Sequence, residues 1–343
     1  MEVWASTPER MSPAEIGAFA RRVEAMGFTG LQVPDAIHDG LLLAAMALHA
    51  TTRLKVCTGV LVAFPRSPMT VAVAAWDLQA MSGGRFELGL GTQIEQNVVE
   101  RYSAKWESPL GQMREYIESL RAIFASFQTG VPLHYEGKHY RFTRLQPFFN
   151  PGPIEHPGIP ILMGAVGPKM TELAGALADG MITHPTNTPP RYIQEVCKAR
   201  LQSGAEKAGG SLQAFRLMLG TLAATGVDAA AVDQAREKQR QLLGFLYSTP
   251  AYWPSLELFG WQEKGEQLRQ LTREKRWHEM AAIIDDAMLD AFVPHATYDG
   301  LADCMLRRYQ GLAARVTLPA PDNPAEDPLL ANAVRAMTRA HAD

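Results

Sequence analysis

Apolar and polar positions along the chain predict strands and helices in alternation. The clearest unit is Leu54–Gly91, in which a β-branched apolar run over Leu54–Val62 precedes a helix over Ser67–Met81 and a short strand over Phe86–Gly91. Both strands are almost continuously apolar, which is typical of parallel strands covered on both faces. Two parallel strands joined by a helix form the right-handed βαβ unit of an α/β fold. The helix is expected to bury the side that carries Met69, Val73, Trp76 and Ala80.

The same alternation extends through most of the chain and gives about eight βα pairs, the number that a closed barrel needs. We therefore predict a (β/α)8 barrel, organised as a single domain over residues 1–343. The further predicted strands are Val3–Ser6, Gly30–Pro34, Ile161–Gly164, Gly180–His184, Phe215–Ala224 and Arg315–Leu318. The further predicted helices are Ser12–Met26, Leu41–Ala50, Gly111–Phe127, Pro168–Ala178, Pro190–Ala208 and Pro328–His341.

Two segments depart from the alternation. Residues 131–160 contain a hairpin pattern followed by a proline-rich stretch, and we interpret them as an insertion that lies over the barrel mouth. Residues 228–293 are mostly helical and carry no recognisable motif. Their aromatic residues indicate packing against another surface, such as a partner subunit, so we expect a homodimer. These residues are Trp253, Phe259, Trp261 and Trp277.

Composition and charge exclude several classes of partner. The chain has 343 residues, of which 47% are hydrophobic and 20% charged, with a net charge of -3 that predicts no nucleic-acid partner. Its three cysteines are far apart and fit neither a disulfide framework nor a zinc pattern, which favours a reducing, cytoplasmic location. No apolar run reaches membrane length and the N-terminus lacks a signal pattern, so we expect no membrane association.

Candidate chemistry follows the predicted strands, because the carboxyl ends of barrel strands carry active sites. After the strand that ends at Gly164, a second glycine at Gly167 precedes Pro168, which opens a helix. This arrangement leaves the backbone N–H groups of Lys169 and Met170 free at a positive helix end, which suits a phosphate. The alternative is a simple tight turn between strand and helix.

Titratable and polar residues follow other strands. Asp35, His38 and Asp39 could form a proton donor–acceptor group, or Asp39 could cap a helix beside a solvated loop. Gly59 marks either a bulge approached by a ligand or the relief of crowding inside the barrel. His184 ends a strand at the mouth, where a lone histidine is either functional or structural.

One polar cluster and one arginine have two interpretations each, and no metal site is predicted. Thr92, Gln93, Glu95 and Asn97 could hydrogen-bond the edge of a heterocycle or form an ordinary loop. Arg66 could bind an anion or cap its own loop. The pair His278 and Glu279 lacks the second histidine of a zinc protease motif, and no other spacing suits a metal.

Two stretches resemble the luciferase-like monooxygenase superfamily, and more narrowly its branch that depends on the deazaflavin coenzyme F420. They are AFPRSPMTVAVAAWDLQAMSGGRFELGLGTQ and PFFNPGPIEHPGIPILMGAVGPKMTELAGALADGMITHP, with SGGR…LGLG and GPKM…AG..ADG as the hallmarks. The resemblance covers about residues 3–208. It implies a TIM barrel that holds coenzyme F420 or FMN at the carboxyl ends of its strands.

The resemblance also implies roles for particular residues. The cofactor phosphate is expected on Gly167, Pro168 and Lys169, and a non-proline cis peptide at Gly59–Val60 is expected behind the ring. His38, with Asp35 or Asp39, would donate or accept the proton that accompanies hydride transfer. In full, the residues assigned to the cofactor are Gly59, Val60, Thr92, Gln93, Gly164, Val166, Gly167, Pro168, Lys169 and His184.

The expected function is hydride transfer between coenzyme F420 and a small organic substrate. The alternatives are a monooxygenase that uses reduced FMN and O2, and a flavin-binding barrel without catalysis. Two departures bear on this choice: Glu95–Asn97 replaces the basic residue and histidine that usually follow GTQ, and Gly40 stands where many members have proline. A hydrolase or aldolase ranks last, since neither a metal cluster nor a Schiff-base lysine is evident.

Overall fold

The barrel is formed by eight parallel strands, of which the third is interrupted. The computed structural model describes residues 1–340. The strands are β1 (Glu2–Ser6), β2 (Gly30–Val33), β3 (Lys55–Thr58), β4 (Leu61–Val62), β5 (Phe86–Gly91), β6 (Tyr135–Glu136), β7 (Arg141–Phe142), β8 (Ile161–Ala165), β9 (Gly180–Thr183), β10 (Arg216–Leu219), β11 (Ala224–Gly226), β12 (His295–Thr297) and β13 (Arg315–Pro319). The barrel order is β3-β2-β1-β13-β10-β9-β8-β5-β4, and pairing of β3 with β5 closes it. The predicted (β/α)8 barrel is confirmed.

The helices begin and end where local sequence signals place them. Asp39, Ser67 and Asp228 accept hydrogen bonds from first-turn amides, and Gly27 ends the first helix with a left-handed φ of 91°. The helices are α1 (Pro13–Met26), α2 (Gly40–Ala50), α3 (Pro68–Ser82), α4 (Pro109–Thr129), α5 (Pro168–Leu177), α6 (Pro190–Tyr192), α7 (Lys198–Lys207), α8 (Ala229–Tyr247), α9 (Pro254–Phe259), α10 (Gln262–Arg273), α11 (Asp286–Phe292), α12 (Tyr298–Tyr309) and α13 (Asp327–Arg339). The predicted end of the last helix at His341 lies outside the described residues.

Two local predictions differ from the structure. Of the residues predicted to line the buried side of α3, Trp76 is buried whereas Val73 is 39% exposed. Apolar residues occupy eleven of the fifteen positions of α3 and are spread around the helix, so periodicity cannot identify its buried face. The predicted strand Phe215–Ala224 is also divided, because Thr221 donates its backbone N–H to the Thr317 hydroxyl (3.1 Å) and the chain then leaves the barrel for β11.

Large apolar side chains fill the barrel interior, and an ion pair closes its amino end. Trp4 occupies the space above Gly30, where a Cβ atom would lie 2.5 Å from the indole ring. At the amino end, the buried Arg315 guanidinium binds Glu87 (Nη2–Oε1, 3.0 Å) and Glu2 (2.7 Å). The barrel is therefore a packed core and not a channel. The interior apolar cluster comprises Trp4, Cys57, Leu162, Ile182 and Met218, with Val60 packed against it.

The third strand separates from its neighbour at Gly59–Val60, and that peptide bond is cis, as the resemblance implies. The Thr58 hydroxyl bridges the separation, because it donates to the Gly89 carbonyl (2.8 Å) and accepts from the Gly89 N–H (2.9 Å). A Cβ atom on Gly89 would lie 1.9 Å from the Thr58 carbonyl oxygen, so only glycine fits there. The chain rejoins the sheet at β4, opposite Leu90 and Gly91.

The insertion at residues 131–160 lies along the outside of the barrel. Its hairpin β6–β7 follows α4, where the backbone N–H groups of Lys138 and His139 donate to Glu115 (2.9 and 2.6 Å). Its return segment reaches α3, whose Trp76 donates to the Gly152 carbonyl (3.0 Å). The expectation that this insertion covers the mouth is wrong. The hairpin pattern was correct, but its docking depends on partners in α3 and α4 that local sequence does not specify.

The helical segment at residues 228–293 has a hydrophobic core of its own. Trp261 stacks on Phe259 (4.9 Å between ring centroids), and both rings pack near Phe292. Trp253 donates its indole N–H to the Tyr247 carbonyl (2.7 Å). Trp253, Phe259 and Trp261 therefore pack within their own segment, whereas Trp277 is 49% exposed beside the exposed Phe245. None of the helices in residues 1–340 combines the length and apolar character that a bilayer crossing requires.

Candidate active site at the barrel mouth

The floor of the mouth is the side chain of Val60. A Cβ atom added to Gly91 would lie 2.4 Å from Val60 Cγ2, and one added to Gly164 would lie 2.9 Å from Val60 Cγ1. The two glycines therefore leave the space that this side chain occupies. Because Val60 remains partly exposed while it packs on the interior cluster, it presents an apolar surface at the mouth.

Gln32 is a mouth residue that sequence reasoning missed. Its side chain lies against Gly59, where a Cβ atom would meet Gln32 Cγ at 2.1 Å. Gln32 is only partly buried, so its amide group can reach a ligand above Val60. The available signal was a single polar residue within the apolar strand β2, at a position whose side chain points into the barrel.

The turn between β8 and α5 has free hydrogen-bond donors. Gly167 is the N-cap of α5 with extended backbone (φ -76°, ψ 154°), and no side chain caps the helix. Within residues 1–340 the backbone N–H groups of Lys169 and Met170 have no acceptor, while the Thr171 N–H donates to the Gly167 carbonyl (3.0 Å). A Cβ atom on Gly167 would meet nothing within 4 Å. Two donors at a positive helix end face open space there, and we name residues 164–170 the cofactor corner after the role that the resemblance implies for them.

Side chains that follow β9 hold the cofactor corner from behind. The buried Asn187 donates its Nδ2 to the Val166 carbonyl (2.9 Å), and the Tyr192 hydroxyl lies 3.4 Å from the same oxygen. The Thr186 hydroxyl lies 2.8 Å from His184 Nδ1 and 3.4 Å from Asn187 Oδ1. The structure thus connects the predicted residues Val166 and His184 through a chain of hydrogen bonds.

His184 is enclosed between the barrel and the helical segment. Its imidazole stacks on the Tyr252 ring with 4.1 Å between centroids and an interplanar angle of 8°. Burial lowers the pKa of His184 to about 4, so the ring is neutral at physiological pH. With one nitrogen bonded to Thr186 and one face covered by Tyr252, His184 supports the mouth.

Asp35 and Asp39 serve the structure of the loop that they occupy. The Asp35 carboxylate accepts hydrogen bonds from the Gly40 N–H (3.1 Å), the Val62 N–H (2.9 Å) and both terminal nitrogens of Arg66 (2.7 and 3.1 Å). These four bonds use all of its acceptor positions. Asp35 therefore has no free lone pair for a substrate, which disfavours it as a proton carrier.

Asp39 caps helix α2, as the structural alternative proposed. It accepts from the Leu41 and Leu42 N–H groups (2.9 and 3.0 Å) and binds Arg66 (2.9 Å). Burial would raise the pKa of Asp39, but the bonds from Leu42 and Arg66 hold it below its ordinary value. Arg66 thus fixes its own loop, and among the three residues assigned to catalysis only His38 is left available for proton transfer.

His38 lies half-buried at the rim of the mouth. Its imidazole forms no hydrogen bond with another residue of the described range, so both ring nitrogens can serve a ligand. The carboxylate partner that the sequence suggested is not engaged with it, because Asp35 and Asp39 both bind Arg66.

The loop after β5 uses part of its polar cluster internally. The Thr92 hydroxyl donates to the Gln93 carbonyl (2.9 Å), and Gln93 Oε1 accepts from the Ile94 N–H (3.0 Å). Within residues 1–340, the amide nitrogen of Gln93 has no acceptor and can serve a ligand. Glu95 lies in a cleft of about 560 Å³ at the edge of the mouth, which we name the rim cleft. The rim cleft is lined by Ile94, Glu95, Gln96, Val99, Glu100, Thr249, Pro250 and Ala251.

The candidate ligand-binding groups at the mouth are mainly amides and backbone donors. Within residues 1–340, no group of three or more His, Cys, Asp or Glu side chains is arranged to hold a metal ion. The mouth instead combines an apolar floor at Val60, free backbone donors at the cofactor corner and amide groups from Gln32 and Gln93.

A sequence profile of the luciferase-like monooxygenase family matches residues 2–315. An uncharacterised protein of Mycobacterium tuberculosis (strain ATCC 25618 / H37Rv) is 38% identical over 311 residues, which cover 91% of each chain. The 5,10-methylenetetrahydromethanopterin reductase of Archaeoglobus fulgidus is 30% identical over 298 residues, 84% of each chain.

The fold is shared with a solved structure of the coenzyme F420-dependent tetrahydromethanopterin reductase from Methanopyrus kandleri. The TM-score is 0.80 at 20% sequence identity, and the match covers 97% of this chain and 98% of that one. At this identity the likeness concerns the fold, which it supports over nearly the whole length of both chains.

The buried neutral His184 makes stability depend on pH. Its pKa is about 4 in the folded protein and about 6.5 when unfolded, so between these values the unfolded state binds the additional proton. The free energy of unfolding should therefore fall as the pH decreases from 6.5 towards 4, by about 2 kcal/mol at pH 5. Urea unfolding of the wild type and of His184→Gln at pH 5 and pH 7 measures this loss.

The variant should lose this part of the pH dependence, and the exposed His278→Gln serves as the matched control. Equal pH dependence in the wild type and in His184→Gln would contradict the burial argument.

Proposed function

The chain belongs to the luciferase-like monooxygenase family, whose members are F420- or FMN-dependent oxidoreductases and monooxygenases. From this premise we propose that it transfers hydride between coenzyme F420 and a small organic substrate at the barrel mouth. The relatives named as reductases support this choice of reaction. The cofactor corner is the observation that carries the proposal.

The cofactor corner fits the phosphate that coenzyme F420 and FMN both contain. The Lys169 and Met170 N–H groups lack acceptors within residues 1–340, and they lie at the positive end of a ten-residue helix. Gly167 leaves the approach open, and the exposed Lys169 ammonium adds a positive charge. These residues would bind the phosphate chiefly through backbone dipoles.

Val60 and the neighbouring amides fit the ring system. Val60 offers an apolar surface between Gly91 and Gly164, while the side chains of Gln32 and Gln93 offer polar groups beside it. When bound, coenzyme F420 supplies hydride transfer, whereas reduced FMN supplies the activation of O2. The chain's own contribution is to orient the ring, and His38 would hold or accept the accompanying proton at its imidazole.

The second candidate is a monooxygenase that uses reduced FMN and O2. Glu95 and Glu100 in the rim cleft favour it, because neither forms an ion pair with a residue of the described range. Coenzyme F420 carries carboxylates beyond its phosphate, and FMN does not. Acidic residues at the edge of the mouth would therefore repel the longer cofactor more strongly.

A charge reversal at the cofactor corner tests the proposal. Fluorescence titration of the purified protein with coenzyme F420 and with FMN should show saturable binding of one of them. Lys169→Glu should weaken that binding by about tenfold, because a negative charge replaces the ammonium beside the phosphate.

The matched control is Lys138→Glu, which reverses a charge on the exposed insertion hairpin and should bind as the wild type does. Tight binding of FMN without binding of coenzyme F420 would select the second candidate. If Lys169→Glu and the wild type bind the cofactor with equal affinity, the phosphate does not bind at the cofactor corner.

His38→Ala separates binding from chemistry. With the substrate class identified by activity screening, the variant should keep cofactor affinity and lose at least about tenfold in turnover, because only proton transfer is affected. Steady-state kinetics beside the binding titration measures both. Unchanged turnover would exclude His38 as the proton carrier. Cofactor binding by the wild type, without turnover of any donor or acceptor, would instead favour a non-catalytic flavin-binding barrel.

A homodimer through the outer faces of α2 and α3 is also proposed. Both helices are mostly apolar, and their outer faces leave three large apolar side chains exposed. The exposed fractions are 51% for Leu42, 39% for Val73 and 52% for Met81. Apolar faces of this kind on a barrel exterior favour contact with a second copy, the commonest arrangement of soluble oligomers.

Light scattering should give twice the chain mass of 37.7 kDa. Leu42→Glu should lower the mass towards that of one chain, because it places a charge in the apolar contact. Phe245→Glu, on the helical segment, is the control and should remain dimeric. A monomeric wild type would refute the dimer, and dissociation by Phe245→Glu alone would move the interface to the helical segment.

A further inference from the structure

We propose that the helical segment at residues 228–293 sets the shape of the cofactor corner through Tyr252 and His184, with Asn187 as the positioning residue. This inference rests on the proposed function for its effect on cofactor affinity. The structural coupling itself can be measured without any cofactor.

The first contact joins the segment to the barrel by aromatic stacking. Tyr252 ends a short helical turn, Pro250–Tyr252, and its ring lies nearly parallel to the His184 imidazole at 4.1 Å. The Tyr252 hydroxyl forms no hydrogen bond with residues 1–340, so the ring itself makes the contact. A second anchor lies nearby, where the Tyr247 hydroxyl donates to the Thr186 carbonyl (3.2 Å).

Hydrogen bonds connect the His184 imidazole to the cofactor corner. His184 Nδ1 lies 2.8 Å from the Thr186 hydroxyl, which lies 3.4 Å from Asn187 Oδ1. Asn187 is 1% exposed and donates Nδ2 to the Val166 carbonyl (2.9 Å). These polar contacts are buried or partly buried, so loss of one removes a hydrogen-bond partner from the next group.

The orientation of the Val166 carbonyl determines where the free donors point. Val166 immediately precedes Gly167. Because Gly167 has no side chain, the peptide between the two residues can rotate unless hydrogen bonds hold the Val166 carbonyl. The side chains that hold it are Asn187 and Tyr192. Tyr252, His184 and Asn187 therefore act on the Lys169 and Met170 donors through Val166, without touching the ligand.

Hydrogen exchange of the cofactor-free protein tests the coupling. The Thr171 amide is the reporter, because it donates to the Gly167 carbonyl (3.0 Å) and its protection depends on that turn. Tyr252→Ala and Asn187→Leu should each raise its exchange rate about three- to tenfold, the range expected for losing one stacked pair or one buried hydrogen bond. Tyr252→Phe keeps the ring and should restore the wild-type rate.

Phe259→Ala is the matched control. Phe259 is an aromatic residue of the same segment that packs on Trp261 and does not contact His184. The Thr171 rate should stay unchanged in this variant. An equal rise in Phe259→Ala and Tyr252→Ala would overturn the inference, as would an unchanged rate in Tyr252→Ala. If Tyr252→Ala does not fold, Tyr252→Leu keeps apolar cover without the ring and replaces it.

Cofactor titration of the same variants separates the inference from the proposed function. Affinity for FMN or coenzyme F420 should fall in Tyr252→Ala and Asn187→Leu, and it should be restored in Tyr252→Phe. Should the wild type bind neither cofactor, the proposed function fails while the Thr171 exchange rates still decide the coupling. Cofactor binding that is equal in all variants, with altered exchange, would refute the effect on affinity.

Discussion

The side chain of Val60 lies at the mouth of the barrel, where the neighbouring strands accommodate it because residues 91 and 164 are glycines. This packing constraint links the core to the site. Below Val60, large apolar side chains fill the interior of the barrel. Above it, the apolar surface stays partly exposed beside the cofactor corner. The interruption of the third strand, bridged by the Thr58 hydroxyl, brings Val60 to this position.

Around this floor, charged side chains mainly fix loops, while backbone groups and amides face the mouth. Arg66, which follows β4, binds Asp35 and Asp39 and so joins its loop to the loop after β2. The neutral His184 and the buried Asn187 support the cofactor corner from behind. The free donors of Lys169 and Met170 belong to the start of α5, so their position depends on the backbone. A site built in this way suits an anionic group recognised by geometry.

The sequence predicted the features that local rules determine. Most strands and helices were located from apolar runs, capping residues and the positions of proline and glycine. The glycines at 59, 164 and 167 indicated the position of the mouth. Local rules could not identify the buried face of α3, where apolar residues lie on every side of the helix. They also could not locate the insertion, whose position depends on contacts with Glu115 in α4 and Trp76 in α3.

Several site features depend on contacts between residues far apart in the chain. The Asp35–Arg66 pair joins positions 31 residues apart, so the sequence alone could not show that Asp35 binds Arg66. Tyr252 and His184 meet only because the helical segment folds back onto the mouth. Gln32 lies in an apolar strand, and the alternation of apolar and polar residues does not show that its side chain reaches the mouth.

The central claim is that the start of α5 binds the phosphate of a flavin-like cofactor. Amide NMR spectra of the labelled protein test it most directly, with FMN compared with riboflavin, and coenzyme F420 compared with its phosphate-free deazaflavin core. If the phosphate binds at this corner, the Lys169 and Met170 amide signals should shift on addition of FMN or coenzyme F420. They should shift much less on addition of riboflavin or the phosphate-free deazaflavin core. Equal shifts from both members of a pair, or shifts confined to the rim cleft, would contradict it.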